Sequence, residues 1–366
     1  MIEPSPSSLW SESPRILILQ LNRIGDLILS TPAFQSLRER FPKAHLTLVV
    51  SQTCASLIPA LPTVDQTLVF PKSLREALVF LRDLLFEPYH LCIDLTGSDR
   101  SALLALCSKA PTRLAFPPAP HRPFRRWIRS HFSALSNLPV AHEIDRVLHL
   151  LQPLGIPSPQ ETPAPRLNLP SIARERIGRL LAECGISDSF ALIHPGTGAP
   201  EKYWLPERWA EVILRLQHEH RLPCVLTGGD DPYEHEHLRN IQTAMAVLGK
   251  GPLPLPFVRL AGALDLTLLA ALTERARLLV SCDTAIIHIA SAFARPQVSL
   301  FGPSNPFRWR PIHSRSLIVP ARGNSPLEPI FSPDTPPRPM ESISVPEVLE
   351  ACTTLLKGAS SPRRTP

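Results

Sequence analysis

The 366-residue sequence contains no Cys-x-x-Cys pair and no zinc-finger spacing, and its seven cysteines are scattered through apolar runs. That excludes a disulfide framework and a structural zinc module, and points to buried free thiols in a reducing compartment. No segment reaches the roughly 18 consecutive apolar residues that a membrane-crossing helix needs. The opening residues, Met1-Ile2-Glu3-Pro4-Ser5, lack the charged and apolar regions of a signal peptide. The Gly-Lys-Ser/Thr ending of a Walker phosphate loop is also missing. Charged residues make up 19% of the chain, too few for a disordered polyelectrolyte. The expectation is a folded, cytoplasmic chain that touches the inner face of a membrane at most peripherally.

What is present is apolar mass, proline and a small basic excess. At 44% hydrophobic, the chain can build more than one core. Its 43 prolines concentrate in segments such as 157–170 and 329–339, which read as linker and loop. The net charge of +6 suits phosphorylated small molecules or an acidic lipid surface. Part of it is local: Arg122, Arg125, Arg126 and Arg129 surround Phe124 and Trp127. Such a cluster docks acceptor phosphates or acidic headgroups, or is simply a solvated helix face. It is too little for a reader of nucleic acid, and no nucleic-acid partner is expected.

Short apolar runs alternate with helical patterns along the whole chain. Strands are expected at 15–21, 45–51 and 90–95, with a loop at 22–26 and helices at 31–41, 73–86 and 98–108. After the proline-rich stretch 155–170 the pattern restarts. Strands are expected at 190–194, 224–227, 257–260, 277–281 and 297–301, and helices at 206–220, 234–247, 266–274, 284–294 and 345–357. This alternation predicts two α/β, Rossmann-like domains with parallel sheets. The expected limits are an extension at 1–14, a first domain at 15–165, a second at 166–345, a C-terminal helix at 346–357 and a disordered tail at 358–366.

In open parallel sheets ligands sit beyond the carboxyl ends of the strands, so polar residues just after strands matter most. Asp26, after the first strand, is either a general base or a helix cap. Gly196 and Thr197 lie in a Gly-rich turn that can hold phosphate oxygens, with Lys202 to neutralise diphosphate charge; an ordinary loop is the alternative. Asp283 and Thr284 stand where a strand passes into a helix, either at a phosphate site or as a cap, and His288 lies one helical turn on. Of Asp230, Asp231, Glu234 and Glu236, behind Gly228-Gly229, one is expected to meet a ribose hydroxyl. No second histidine or carboxylate sits at metal-ligand spacing, so no metal site and no cofactor is expected.

Taken together, these motifs resemble the lipopolysaccharide core heptosyltransferases. The resemblance begins at Arg15-Ile16-Leu17-Ile18, Arg23-Ile24-Gly25-Asp26-Leu27, Thr31-Pro32-Ala33 and Phe41-Pro42, and continues at Asp94-Leu95-Thr96-Gly97-Ser98 with Arg100-Ser101. It extends through His194-Pro195-Gly196, Lys202-Tyr203-Trp204, Gly228-Gly229 and Leu260-Ala261-Gly262. It is most specific at Asp283-Thr284, His288-Ile289-Ala290 and Leu300-Phe301-Gly302-Pro303, and covers roughly residues 15–350. It implies a GT-B fold, two domains facing one cleft, and an inverting, metal-independent transfer of heptose from an ADP-sugar to a lipid-linked acidic acceptor. Asp26 would be the base. Lys202, Asp283, Thr284 and His288 would lie against the donor diphosphate and sugar, and Leu264 near the nucleotide base. With the loop residues and Glu234 these make up the expected donor site. Arg23, Arg100, Arg122, Arg125 and Arg126 are the expected acceptor contacts. One departure stands out: the family's glycine after Asp-Thr is Ala285 here, where a methyl group can crowd a bound phosphate or restrict φ. A nucleotide-sugar epimerase of the same two-domain type and a non-catalytic nucleotide-sugar-binding protein remain open beside the transferase.

Overall fold

The computed structural model describes residues 13–61, 63–117, 132, 134–135, 142–186, 189–249, 251–313, 315–323, 327 and 338–358. The chain divides into two compact units, Met1–Asn168 and Leu169–Pro366. The N-terminal unit holds strands β1 (Arg15–Gln20), β2 (His45–Val50), β3 (Gln66–Val69), β4 (Leu91–Asp94), β5 (Thr112–Ala115) and β6 (Ala134–Leu135). They form one sheet in the order β3-β2-β1-β4-β5-β6, and every pair is parallel. The C-terminal unit holds β7 (Ala191–His194), β8 (Cys224–Leu226), β9 (Phe257–Arg259), β10 (Leu278–Cys282), β11 (Gln297–Phe301) and β12 (Ser316–Pro320). Its order is β12-β11-β10-β7-β8-β9, again all parallel.

Renumbered within each unit, both sheets have the doubly wound order 3-2-1-4-5-6. The order reverses between β1 and β4 in one unit and between β7 and β10 in the other, and there the crossovers leave in opposite directions and open a crevice at the carboxyl ends. The sequences of these central strands explain their position. In β1, β7 and β10 nearly every residue is buried, since a strand covered by helices on both faces cannot alternate apolar with polar. β3 and β9 lie at edges and are only half-buried throughout.

Several of the helices start at a side chain that caps them. Ser73 accepts from the Glu76 amide ahead of helix Leu74–Phe86, Ser98 from Ser101 ahead of Asp99–Cys107, and Asp265 from Leu268 ahead of Leu266–Arg275. Inside the C-terminal unit Trp204 and Trp209 pack edge-on with centroids 5.1 Å apart, and Trp204 Nε1 donates to the Ile343 carbonyl at 3.1 Å. The last helix, Val345–Gly358, packs into this same core through Val348, Leu349, Cys352 and Leu356. All seven cysteines are free thiols.

Several elements differ from the expectations. Residues 22–26 are not all loop, because a short helix, Ile24–Leu29, begins inside them. The helix expected from Glu234 starts at Pro232, because Asp231 caps it through the Tyr233 amide at 2.9 Å. The helix after β10 runs Ala285–Ala292, with Thr284 as its cap rather than its first residue. β3, β5, β6, β12 and the helices Glu143–His149 and Ser171–Glu183 were not among the elements expected. Gly358, expected to open a disordered tail, instead ends helix Val345–Gly358, and the rest of that tail, 359–366, and the 329–337 part of the proline-rich stretch lie outside the described residues. No helix among the described residues is long and apolar enough to cross a membrane.

Candidate functional site

At the crevice end of the N-terminal unit, Thr96 clasps the two central strands together. Its hydroxyl accepts from the Leu21 amide at 2.8 Å and donates to the Leu19 carbonyl at 3.2 Å. Thr96 is itself held by Asp94, fully buried, whose Oδ1 accepts from the amides of Thr96 and Gly97, each at 3.0 Å. Gly97 has φ +72° with open space around it, so conformation rather than crowding requires the glycine there. Gln20 and Ser30, both buried, bond to each other at 2.8 Å, and the Ser30 hydroxyl donates to the Asp26 carbonyl at 2.7 Å.

This scaffold fixes the backbone of Asp26 while its carboxylate stays half-exposed in the first turn of helix Ile24–Leu29. The Arg23 amide donates to Asp26 Oδ2 at 3.2 Å, so Asp26 does serve the helix start, as the third residue of a capping box. A cap and a base are compatible roles for a carboxylate that solvent still reaches. Cys54 lies against the same loop. Burial pushes its thiol up, hydrogen bonds from Ser51 and Thr53 oppose that, and the Asp26 charge adds to it. The Arg23 side chain is exposed.

Beside this loop is a shallow depression of about 360 Å³, floored by Leu21, Ser51, Thr53 and Phe70 and flanked by Lys72 and Arg100. The Arg100 guanidinium sits over the Phe70 ring, 5.0 Å from its centroid. Its lining comes from the segments that follow β1, β2 and β3 and from the first turn of helix Asp99–Cys107. Arg100 was an expected acceptor contact and Lys72 was not. The strand before Lys72, Gln66–Val69, has no apolar periodicity to announce it, so the residues after it drew no attention. Arg122, Arg125 and Arg126 lie outside the described residues.

In the C-terminal unit the crevice falls between the loop after β7 and the end of β10. Lys202 Nζ meets Asp283 Oδ2 at 2.7 Å, with the carboxylate buried and the lysine largely so. Asp283 is therefore not the cap of the following helix. Thr284 holds that position and makes no side-chain cap bond, leaving the helix-start amides of Ala285–Ala292 uncapped by its side chain. The same strand ends are tied by the Ser281 hydroxyl, which donates to the His194 carbonyl at 2.8 Å. His194 is buried with Nδ1 2.9 Å from the Thr227 hydroxyl, and burial pushes its pKa down to about 4, so it is neutral at pH 7.

Among the acids behind Gly228-Gly229 only Glu234 faces the Gly196 loop. Asp231 caps its helix, while Asp230 is exposed and pairs with His235 at 3.1 Å. Glu236 is exposed. Glu234 turns inward and accepts from the Gly229 amide. A Cβ added to Gly196 would lie 2.5 Å from Glu234 Oε2, and one on Gly228 or Gly229 would lie 3.1 Å from it. The glycines of two loops thus admit one carboxylate. Burial pushes the Glu234 pKa up, against the Gly229 amide that favours its charge.

An aromatic wall that the sequence did not suggest backs this carboxylate. Tyr203 stands edge-on to Tyr233 and to His237, with centroids 5.1 and 4.6 Å away. Burial, then the Glu234 charge, pushes the Tyr203 hydroxyl up to about 12. The Thr197 hydroxyl accepts from the Ala199 amide and donates to the Ala199 carbonyl, each at 3.0 Å, which sets the turn after Gly196. Leu264 is half-buried just ahead of helix Leu266–Arg275. His288 is buried at 3% exposure, and Ala285 is the first helical residue with φ outside the positive range, so its methyl imposes no backbone strain. Among the described residues no cluster of three metal-ligating side chains occurs.

Two parallel-sheet α/β units with these strand ends define a GT-B fold, and solved structures share it. A family 9 glycosyl transferase from Veillonella parvula superposes with a TM-score of 0.77 at 22% identity, over 96% of this chain and 100% of that one. The Escherichia coli heptosyltransferase WaaC with ADP gives 0.71 at 18% identity, over 93% and 99%. The profile of glycosyltransferase family 9 (heptosyltransferase) matches residues 78–328, and the chain belongs to that family. Among curated relatives, lipopolysaccharide heptosyltransferase 3 of Escherichia coli K12 is 26% identical over 298 residues, covering 78% of this chain and 82% of the relative. The lipopolysaccharide core heptosyltransferase OpsX of Haemophilus influenzae is 24% identical, covering 85% and 86%. The chain is a glycosyltransferase.

Proposed function

We propose that the chain transfers heptose, or a related sugar, from an ADP-sugar to a lipopolysaccharide core or similar envelope glycolipid, with inversion and without a divalent metal. The observation that carries the donor half is the buried Lys202–Asp283 pair beside the Gly-rich turn and the start of helix Ala285–Ala292. A lysine and uncapped helix amides are the groups a diphosphate takes in place of a metal ion. The relative WaaC is described with ADP and with ADP-2-deoxy-2-fluoro heptose, which favours an ADP-linked donor for this chain too. Glu234, turned toward the Gly196 loop, is the carboxylate best placed among its neighbours for ribose hydroxyls.

In the reaction an acceptor hydroxyl oxygen attacks the anomeric carbon, forming a new C–O bond. The bond from that carbon to the diphosphate oxygen breaks, and ADP leaves with the electron pair. Asp26 takes the hydroxyl proton. Lys202 and the amides near Thr284 and Ala285 stabilise the charge that grows on the departing diphosphate. The depression flanked by Lys72 and Arg100 offers cations for the acidic groups of the acceptor. The relatives named as lipopolysaccharide heptosyltransferases support this acceptor class, and a place at the inner face of the cytoplasmic membrane follows from it.

The test is transfer of label from ADP-heptose to purified rough lipopolysaccharide, with UDP- and GDP-sugars in parallel and with EDTA present. Transfer from ADP-heptose that survives EDTA is expected. Abolition by EDTA overturns the metal-free step, and preference for another nucleotide overturns the donor.

A further inference from the structure

Helix Leu74–Phe86 is apolar on two sides, and the fold uses only one. Its inner side buries Phe80 and Leu84 in the core of the N-terminal unit, with Phe80 edge-on to Phe70 at 5.6 Å. Its outer side leaves Leu78 69%, Val79 50%, Leu81 36% and Phe86 81% exposed. Burying these groups would gain free energy, and folding leaves that gain unused. An outward stripe that keeps this much apolar side chain among its charges is suited to being covered.

The charges on the outer side indicate by what. Arg75, Leu78, Val79, Arg82 and Phe86 follow the spacing i, i+3, i+4, i+7 and i+11, which places them in one outward stripe. Two guanidiniums therefore alternate with three apolar side chains. Arg82 bonds to Asp83 at 2.7 and 2.9 Å, and Arg75 lies beside Glu76 and Asp83 at the rim of a groove of about 400 Å³ along β3. The acids sit to one flank of the stripe and the cations in its middle. A stripe of this kind lies in the interface of an acidic bilayer, with arginines at the phosphate level and leucine and phenylalanine at the acyl boundary. The stripe also joins the acceptor depression: the Lys72 amide, at the rim of that depression, donates to Glu76 in the first turn of the helix at 2.9 Å.

We propose that the outer face of helix Leu74–Phe86 docks the chain onto an anionic lipid surface, setting the Lys72–Arg100 depression at the headgroups from which a lipid-linked acceptor projects. The placement of the acceptor rests on the proposed function; the docking itself does not.

The experiment is co-sedimentation of the full chain with vesicles of phosphatidylcholine and phosphatidylglycerol, compared with phosphatidylcholine alone. Binding that requires the anionic lipid is expected. The double variant Leu78→Ser/Phe86→Ser is expected to lower partitioning about tenfold or more. Arg75→Gln is expected to lower it several-fold, by roughly the weight of one charge at the surface. Both sites are exposed, so an unchanged Tm separates lost docking from lost folding. Vesicle binding that is absent in the wild type, or unchanged in the double variant, overturns the proposal. So does a concentration-dependent dimer that the double variant abolishes, since a second copy would then be the cover. Transfer to rough lipopolysaccharide in vesicles and to its deacylated, water-soluble form separates this proposal from the reaction itself. The double variant should slow only the first. If neither acceptor works while vesicles still bind, the transferase reading fails and the docking stands.

Discussion

The two units share one strand order and differ in what they place at the point where it reverses. In the N-terminal unit the strand ends are tied by Thr96, Gln20 and Ser30, with the buried Asp94 carboxylate spent on the amides of Thr96 and Gly97, beside a half-exposed Asp26. In the C-terminal unit they carry a buried ion pair, Lys202 with Asp283, and a desolvated Glu234 against three glycines. One scaffold therefore supports two kinds of chemistry. A carboxylate that solvent reaches can exchange a proton, whereas a buried cation and glycine-lined amides can bind and hold an anion. The difference lies in loop residues, and the parallel sheet that displays them is the same in both.

The sharpest way to break this contrast is at Asp26. Asp26→Asn keeps an oxygen to accept from the Arg23 amide, so folding should hold and donor affinity should change little. The transfer rate should fall by about 10²–10⁴-fold. Initial rates with saturating donor, beside a melting curve, measure this, and an unchanged kcat removes Asp26 as the base. The opposite pattern is expected across the ion pair. Lys202→Met strands the Asp283 carboxylate at 9% exposure, a loss toward the lower end of about 3–5 kcal/mol because Lys202 keeps some solvent contact. Its donor KM should rise more than about tenfold. The double variant Lys202→Met/Asp283→Asn should recover part of the stability and none of the donor affinity. Additivity in both readouts would show that the pair is not coupled.

Acidification should tell the units apart. His194, His237 and His313 all belong to the C-terminal unit, and burial pushes each down to about 4 from the ordinary 6.5, with the Arg315 charge adding to the effect at His313. A histidine with a lowered folded-state pKa binds its proton more readily when unfolded. Stability is therefore intact above about 6.5 and is lost as pH falls toward 4, on the order of 3 kcal/mol for His194 alone. The shifted acid of the N-terminal sheet works lower. Burial disfavours the Asp65 charge, yet the Leu46 amide and Arg38 hold its pKa below the ordinary 3.8, so what it adds is lost only on further acidification. Hydrogen exchange at pH 5 should show the C-terminal unit opening first. Simultaneous opening would overturn the assignment of the acid lability to these histidines.

Smaller effects sharpen the same picture. Lys72→Ala and Arg100→Ala should each raise the acceptor KM by about three- to tenfold and leave the donor KM alone. Ala285→Gly should move donor KM by no more than about threefold, because Ala285 already has helical φ and its methyl imposes no backbone strain. A larger gain in affinity would show that the methyl crowds the phosphate.

Much of this was legible because the central strands are hydrophobic runs bounded by glycine, proline or capping residues. Helix Pro206–His220 and strand Gln297–Phe301 fall at the limits that pattern gives. The edge strands were not legible. Gln66–Val69 is short and half-buried, so no periodicity marks it, and Lys72 was overlooked with it. Helix Ser171–Glu183 buries Ala173, Ile177 and Leu181 at four-residue intervals, but it directly follows the proline-rich segment and was hidden by it. Asp26, Lys202 and Asp283 could be picked out as candidates because each follows a strand. Which of the acids near Gly228-Gly229 turns inward could not be, since Asp230, Asp231, Glu234 and Glu236 are chemically alike along the chain.

The sequence by itself determined the alternation of strand and helix, the division into two α/β units and the family, because burial on both faces of a sheet demands apolar runs and motifs of fixed order survive as letters. Only the tertiary structure decided that Asp283 turns to Lys202 rather than capping its helix, that Tyr203 and His237 stand behind Glu234, and that Lys72 joins Arg100 beside Phe70. Those contacts join residues from separate strand ends, 81 positions apart for the ion pair, and such distances close only when the parallel sheet brings its carboxyl edges together.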